Sequence, residues 1–312
     1  MTSVHHLRHP ATGASASILP HVGFNLFDLR LPLHGTLSPI IAAAPDWHLN
    51  PEHPTRNGMP VLFPFPNRIR DAHYQWGGTT YTLEPNKPPH AIHGFAVDAP
   101  FDVIETGGND FEHFVTGEFQ LSRHTPQFAD QWPGDPYLSL RYALRADHLR
   151  LDARIENRGR VDMPWGFGLH SYFWSAPHAR VTIPAAAIWE LSDCLPTGRI
   201  LPVDKRLDFR AGKPVDAPLD DVLTSLESDN HTHQISCRID STVDIRLPPA
   251  FREIVLFTPP WFANALAIEP YTQATDAIHL QAQGLDAGLR VLPPGQSASL
   301  WIEFRAASAH AC

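Results

Sequence analysis

The chain has 312 residues, 43% of them hydrophobic and 18% charged, with a net charge of −9 at neutral pH. That is enough apolar material for a sizeable core, and the acidic balance leaves no footprint for nucleic acid or an anionic membrane. The 31 prolines, about twice the usual ~5%, run along almost the whole chain, with the longest proline-free stretches at 137–163 and 219–247. Proline breaks helix interiors, so a helical bundle, a coiled coil and a doubly wound α/β fold are all excluded in favour of a loop-rich β protein.

In chain order, residues 1–20 hold histidines and small residues but no apolar signal core, and no later run of about 18 apolar residues occurs. A cytoplasmic location is therefore expected. Gly77-Gly78 and Gly107-Gly108-Asn109-Asp110 read as turns, and Pro126 to Trp132 as one or two helical turns. Alternation of apolar and polar residues predicts strands over 138–144 and 149–155, joined by a hairpin at Arg145-Ala146-Asp147-His148. The polar, Pro/Gly-rich stretch Pro196 to Pro218 reads as a long functional loop. Further period-2 strands are predicted at 235–239, 243–247 and 298–304, and short apolar strands, buried on both faces, at 254–257 and 266–268. Many short strands with regular punctuation point to a sandwich or barrel. No linker divides the chain, so residues 1–312 are read as one domain.

Several chemistries are missing. No dinucleotide fingerprint, phosphate-binding loop, zinc-protease motif or serine-hydrolase elbow is present. Cys194, Cys237 and Cys312 are odd in number and far apart, so neither a disulfide framework nor a zinc knuckle is implied. His231-Thr232-His233 supplies two potential ligands and no third, and reads as an ordinary loop. Neither a metal nor a cofactor is expected.

Four segments carry the functional argument. The first holds Asn67-Arg68-Ile69-Arg70, where arginine offers a rigid fork of donors. The second is His93-Gly94-Phe95. The third runs from Pro164-Trp165-Gly166 to His170-Ser171-Tyr172-Phe173 and sets a histidine among aromatics. The fourth is Glu269-Pro270-Tyr271-Thr272, where a carboxylate at the end of an apolar strand is expensive to bury without a reason. Bland readings stand beside each: a surface ion-pair arginine, a turn histidine, a core histidine and a buried carboxylate paired with arginine.

Taken together and in this order, the four motifs resemble the aldose 1-epimerase (galactose mutarotase) family over roughly residues 15 to 305. That resemblance implies an all-β fold, a large antiparallel β-sandwich of the supersandwich type, with a sugar in an open cleft on one concave sheet. It implies Glu269 as general base, His170 as general acid and His93 as the second active-site histidine. Arg68, with Asn67 beside it, matches the substrate-binding arginine, Asp220 rather than Asp221 matches a sugar-binding carboxylate, and Trp165, Tyr172 and Trp261 are candidates to pack on a sugar face. The implied reaction interconverts the α and β anomers of a free hexose such as galactose or glucose. It needs a small-molecule sugar, a general acid and a general base, with no cofactor, nucleic acid or membrane, in a monomer or homodimer. A single glycine after His93, and His279 where relatives often carry asparagine, bear on sugar specificity. Two rival readings are an epimerase of phosphorylated hexoses, which needs extra cations at the cleft, and a non-catalytic sugar-binding sandwich.

Overall fold

The computed structural model describes residues 4–307. It is 48% strand and 7% helix, built around two large antiparallel sheets. The centre of the nine-stranded sheet is the run Pro136–Leu144, His148–Asn157, Ser297–Ala306, Val243–Leu247 and Ile235–Ile239. The eight-stranded sheet lays Ala185–Ser192, Asp220–Leu226, Glu253–Phe257 and Ala265–Tyr271 side by side, then the short strands Gly168–Leu169 and Val61–Leu62. One core joins them. Leu140, Leu151, Ile245 and Phe304 from the first sheet pack with Leu223, Ile254, Leu256 and Ile268 from the second.

Each predicted period-2 strand is present, and Arg145 donates its backbone N–H to the His148 carbonyl at 2.8 Å to close the expected hairpin. Strand alternation sends successive side chains to opposite faces. Along Glu253–Phe257 and Ala265–Tyr271, Ile254, Leu256, Leu266 and Ile268 therefore enter the shared core. Their neighbours Val255, Phe257, Glu269 and Tyr271 line a cleft on the other face. Both faces are largely buried, which is why these strands read as continuous apolar runs.

Two readings need correction. Residues 196–218 are not one loop: Leu195–Pro202 is the edge strand of the eight-stranded sheet, paired with Ala185–Ser192 in the register Ile188↔Leu201 and Ser192↔Leu195. Pro196 and Pro202 are tolerated there because an edge strand has one unpaired side. The two-residue turn, Asp193-Cys194, places both residues at positive φ, 51° and 63°, without the asparagine or glycine that usually signals such a hairpin. The glycines at 107 and 108 belong to the strand Asp102–Gly108, and the turn follows them at 109–112. A four-stranded sheet, His5–Arg8, Ser15–Leu19, Asn25–Leu33 and Thr36–Pro39, had no clear signal in the sequence. Among the described residues no helix is long and apolar enough to cross a membrane.

One buried charge is unsupported. Glu253 is fully buried and both its carboxyl oxygens lack an aligned hydrogen-bond partner among the described residues. Burial pushes its carboxyl up to about 8, only partly offset by Thr224 and Trp189 beside it. The native state thus keeps a proton that the unfolded chain, with an ordinary carboxyl, gives up. Below the ordinary carboxyl value both states are protonated and Glu253 adds no pH dependence to stability. As pH rises from there to about 8 the native state is progressively penalised, by a total on the order of a few kcal/mol. Urea unfolding across this range should show Glu253→Gln more stable than the parent at pH 8, with the gain vanishing at pH 4.

Candidate active site

The register of the eight-stranded sheet assembles the site. Val255 lies opposite Glu269, Gly168 opposite Tyr271, and Tyr172 opposite Ala267. His170, midway between Gly168 and Tyr172, is thereby level with Glu269 on the neighbouring chain segment. Gly168 is required at its position because a Cβ there would lie 2.4 Å from the Tyr271 ring. The cleft has a volume of about 370 Å³ and is bounded by Asn67, Arg68, His93, His170, Asp220 and Glu269, among others. A larger hollow of about 510 Å³, between residues 175–179, 215–218 and 258–266, offers only His178 and Asp216 as ionisable groups. The cluster of carboxyl, imidazole and guanidinium groups therefore lies at the smaller cleft.

Glu269 and His170 form a buried pair. Glu269 Oε1 stands 3.3 Å from His170 Nδ1, without the alignment of a hydrogen bond. The Tyr271 hydroxyl donates to Glu269 Oε2 at 2.5 Å. The Tyr172 hydroxyl donates to the Thr55 carbonyl at 2.9 Å, so its oxygen is left to accept from His170 Nε2, 3.2 Å away. The neutral imidazole of His170 accordingly carries its proton on Nε2 and turns a bare Nδ1 towards Glu269. Burial raises the Glu269 carboxyl well above its ordinary value, with Tyr271 and Arg68 opposing the rise and Asp220 adding to it. Burial also lowers His170 to about 3. Both shifts share one cause: removal from water disfavours the charged form of each group.

His93 enters through a strained turn. Its φ is 71°, and Gly94 follows because a Cβ there would meet the Phe63 carbonyl oxygen at 2.2 Å. The His93 backbone N–H donates to the Asn67 carbonyl at 2.9 Å, and the Asn67 backbone N–H donates back to His93 Nδ1 at 3.3 Å. This fixes Nε2 as the protonated nitrogen. Burial first, then His170 and Arg68, hold the His93 imidazole well below its usual value. Its ring meets that of His170 edge-on at 5.6 Å between centroids.

Asn67 also orients the arginine. Its Oδ1 accepts from the Arg68 backbone N–H at 2.9 Å and from Arg68 Nη1 at 3.0 Å. Asp276 clamps the same segment from beneath. Its backbone N–H donates to the Arg68 carbonyl at 2.9 Å, while its buried carboxylate accepts from the Arg70 backbone N–H at 3.0 Å and from Arg70 Nε at 3.3 Å. His279 Nδ1 lies 2.6 Å from the same carboxylate. Asp220 borders the cleft, and the crowding of its walls raises its carboxyl against the pull of Arg68. Asp221, one residue on, faces away and pairs with Arg206 at 2.8 Å.

The structure thus brings Glu269, His170, His93, Arg68, Asn67 and Asp220 to one cleft. It does not bring Trp165 there. That side chain is 2% exposed in the core, on a strand paired with Arg290–Leu292, with the Arg290 guanidinium 5.3 Å from its ring. Trp261, 39% exposed, presents its ring at the cleft instead. Tyr271 is a functional residue that its motif alone does not reveal, although residues i and i+2 on a strand share a face and so set it beside Glu269. The two histidines at 231 and 233 lie in a turn organised by Asp229, whose carboxylate accepts from the His231 and Thr232 backbone N–H groups. Among the described residues no group of three or more His, Cys, Asp or Glu side chains is placed to hold a metal ion.

Because burial keeps both imidazoles neutral, ¹⁵N NMR of the ligand-free protein should show His93 and His170 as the Nε2–H tautomer at pH 7. Neither should titrate near 6.5, the ordinary histidine value, and protonation of His170 should appear only near pH 3. A normal titration of either ring would contradict the burial account.

Comparison with known proteins places these residues in a family. The family model described as aldose 1-epimerase matches residues 5–305. The uncharacterised protein YphB of Escherichia coli K12 is 25% identical over 258 residues, covering 78% of this chain and 82% of that protein. Among solved structures, a galactose mutarotase-like protein from Clostridium acetobutylicum has a TM-score of 0.81 at 21% identity, over 94% of this chain and 92% of the other. The GalM/aldose epimerase homologue from C. elegans has a TM-score of 0.80 at 18% identity, over 99% of this chain and 100% of the other. These two likenesses are of fold.

Proposed function

Because this chain belongs to the aldose 1-epimerase family, we propose that it interconverts the α and β anomers of a hexose by general acid–base ring opening. The observation that carries the reading is the Glu269–His170 pair, 3.3 Å apart in a cleft that also holds His93, Arg68 and Asp220. Anomer exchange requires one group to take the C1 hydroxyl proton and another to protonate the ring oxygen. As these protons move, the C1–O5 bond breaks and C1 becomes an aldehyde. Rotation about C1–C2 and the reverse transfers close the ring on the other face.

The pair holds one proton in two arrangements. As carboxylate and imidazolium, Glu269 is the base and His170 the acid, and ring opening converts the pair to carboxylic acid and imidazole. That neutral arrangement is the one burial favours, and it closes the ring by returning both protons. No net proton enters or leaves. Arg68, held by Asn67, supports the carboxylate form electrostatically. Asp220 and the His93 Nε2–H are read as partners for sugar hydroxyls. The non-catalytic rival has no use for a buried carboxyl–imidazole pair of this kind.

Polarimetry of freshly dissolved α-glucose and α-galactose, corrected for spontaneous mutarotation, tests the reading. Glu269→Gln and His170→Asn should each lower kcat by roughly 10²–10⁴-fold with the fold intact. Arg68→Ala should mainly raise KM. Full turnover by Glu269→Gln on every accepted sugar would remove the proton-transfer assignment.

The pH dependence follows from the same shifts. The active form has one proton in the pair, so kcat/KM of the free enzyme falls when a second proton adds, near pH 3, or when the single proton leaves, well above the usual carboxylate range. The profile should show no break at 6.5, the ordinary imidazole value, its acid limb lying near pH 3 and its alkaline limb above the usual carboxylate range.

A further inference from the structure

Only one nitrogen of His170 is open to a ligand. Nδ1 is buried and faces Glu269 Oε1 at 3.3 Å. That leaves Nε2, which must carry a proton if the ring is to act as an acid. In the ligand-free protein the Nε2–H is held by the Tyr172 oxygen at 3.2 Å, and the Tyr172 hydroxyl donates in turn to the Thr55 carbonyl at 2.9 Å. The direction of both bonds is fixed by Thr55, because a carbonyl can only accept. A hydroxyl has one proton, so once it is spent on Thr55 the Tyr172 oxygen offers His170 lone pairs alone.

Tyr172 is held at both ends by one loop, residues 44–57. Its backbone N–H donates to the Gly58 carbonyl at 3.0 Å, and its carbonyl accepts from the Ala42 N–H at 2.9 Å, so the backbone is tied to the neck of the loop while the hydroxyl is tied to Thr55 within it. The neck is closed by the Gly58 N–H on the Ala42 carbonyl at 2.9 Å and by the Ala44 N–H on Asn57 Oδ1 at 2.8 Å. Asn25 braces it, donating from Nδ2 to the Asn57 carbonyl at 3.0 Å. Gly58, at a φ of 70°, passes so near that a Cβ there would lie 2.2 Å from Asn25 Oδ1. Inside the loop Trp47 Nε1 donates to the Glu52 carbonyl at 2.7 Å. A loop whose ends meet and whose own side chains pack within it is a compact unit, so the Thr55 carbonyl is a fixed acceptor.

We propose that Tyr172, anchored by the Thr55 carbonyl, is a positioning residue that sets the tautomer of His170 and so makes Nε2 the proton donor to the sugar. The inference rests on the ring-opening reading for what that proton does. In the Nε2–H tautomer the Glu269 proton has only to cross to the facing Nδ1 to give the carboxylate–imidazolium arrangement. In opening, the Nε2 proton goes to the ring oxygen, which keeps the C1–O5 electron pair. The C1 hydroxyl gives its proton to Glu269 and its bond pair to the new C1=O, and closure reverses both transfers. The ring oxygen thus replaces the Tyr172 oxygen as acceptor of an N–H that was aimed before the sugar arrived. Without the phenol oxygen an Nε2–H is a buried donor lacking its acceptor, whereas an Nδ1–H finds Glu269 Oε1. Nε2 is then bare towards the sugar, and the place that the Glu269 proton would take on Nδ1 is filled. In an acid–base site with its geometry intact, an imidazole in the wrong tautomer can cost up to about 10⁴-fold in kcat.

The test is ¹⁵N NMR of the ligand-free protein at pH 7 in three forms: wild type, Tyr172→Phe, and protein carrying 3-fluorotyrosine at position 172, whose oxygen is a weaker acceptor in the same place. Tyr172→Phe keeps the ring that lies 4.6 Å from His170 and 6.1 and 6.2 Å from Trp261 and Phe262, and circular dichroism checks its fold. His170 should be Nε2–H in the wild type and Nδ1–H in Tyr172→Phe, with the fluorinated protein between them. His93, whose Nδ1 is held by the Asn67 N–H, should stay Nε2–H in all three. Turnover of α-glucose and α-galactose by Tyr172→Phe should fall about tenfold or more in kcat, with KM within about threefold of wild type. An Nε2–H tautomer that survives in Tyr172→Phe, or a kcat within about twofold of wild type, overturns the proposal. If Tyr172→Phe does not fold, the fluorinated protein decides, and an unchanged His170 spectrum overturns it. If the wild type turns over no sugar, the ring-opening reading fails separately, and the spectra still decide whether Tyr172 sets the tautomer.

Discussion

The site depends on a carboxyl and an imidazole, Glu269 and His170, that sit 3.3 Å apart with both side chains largely buried. Either charge alone would be costly there, because burial removes the hydration that a carboxylate or an imidazolium needs. One shared proton avoids that cost, since the pair can stand as two neutral groups. The same proton can move across to leave a carboxylate and an imidazolium, whose mutual attraction compensates part of their lost hydration. The two arrangements have equal proton counts, and the balance between them is set by the hydrogen bonds each partner receives. Tyr271 donates to Glu269 and favours its charged form. Tyr172, whose own hydrogen is committed to Thr55, accepts from His170 and fixes which ring nitrogen remains open.

Much of the remaining architecture keeps this pair in register. Three antiparallel segments supply Val255, Glu269 and His170 as neighbours across one row of the sheet. The absence of a side chain at Gly168 lets the Tyr271 ring lie flat enough for its hydroxyl to reach Glu269. Arg68 comes from outside the sheet and needs its own support, which Asn67 provides through the side chain and Asp276 through the backbone. Asp276 in turn is satisfied by Arg70 and His279. The arginine is thus positioned by a chain of hydrogen bonds 206 residues apart in sequence between Arg70 and Asp276. No local pattern near residue 68 announces that partner.

What could be read from the sequence follows from the range of the interactions involved. Period-2 alternation is local, so the five central strands of the nine-stranded sheet were legible, as was the hairpin before His148, and short apolar runs gave Glu253–Phe257 and Ala265–Tyr271 of the other sheet. The four motifs were legible as types of residue and as a resemblance. Which face a side chain occupies needs the register of neighbouring strands. Trp165 and His170 sit in one motif, yet Trp165 turns into the core beneath Arg290 while His170 opens on the cleft. The Asp220-Asp221 pair shows the reverse case: alternation forces them to opposite faces, and pairing of Asp221 with Arg206 leaves Asp220 for the cleft. The edge strand Leu195–Pro202 was hidden because its prolines and its Asp-Cys turn mimic a loop. In the sheet near the N-terminus, the alternation of Leu29, Leu31 and Leu33 was interrupted by Pro32, and the other three strands are only four or five residues long.

Charge distribution adds a constraint that net charge conceals. A chain at −9 repels anions at long range, yet within about a Debye length, ~8–10 Å at moderate salt, a ligand responds to the side chains nearest it. At this cleft those are Arg56, Arg68 and Lys87, set against Glu269, whose charged form burial disfavours, and Asp220, which feels the pull of Arg68. Burial disfavours a lone charge on either Glu269 or His170 and so limits the negative charge that the pair sets against these cations. In the proposed cycle a carboxylate at Glu269 always stands beside an imidazolium, so the net charge of the pair is the same before and after ring opening. Under that reading, residues that bind the sugar and residues that move its protons can be tuned separately, because the net charge of the pair does not change when the anomeric end reacts.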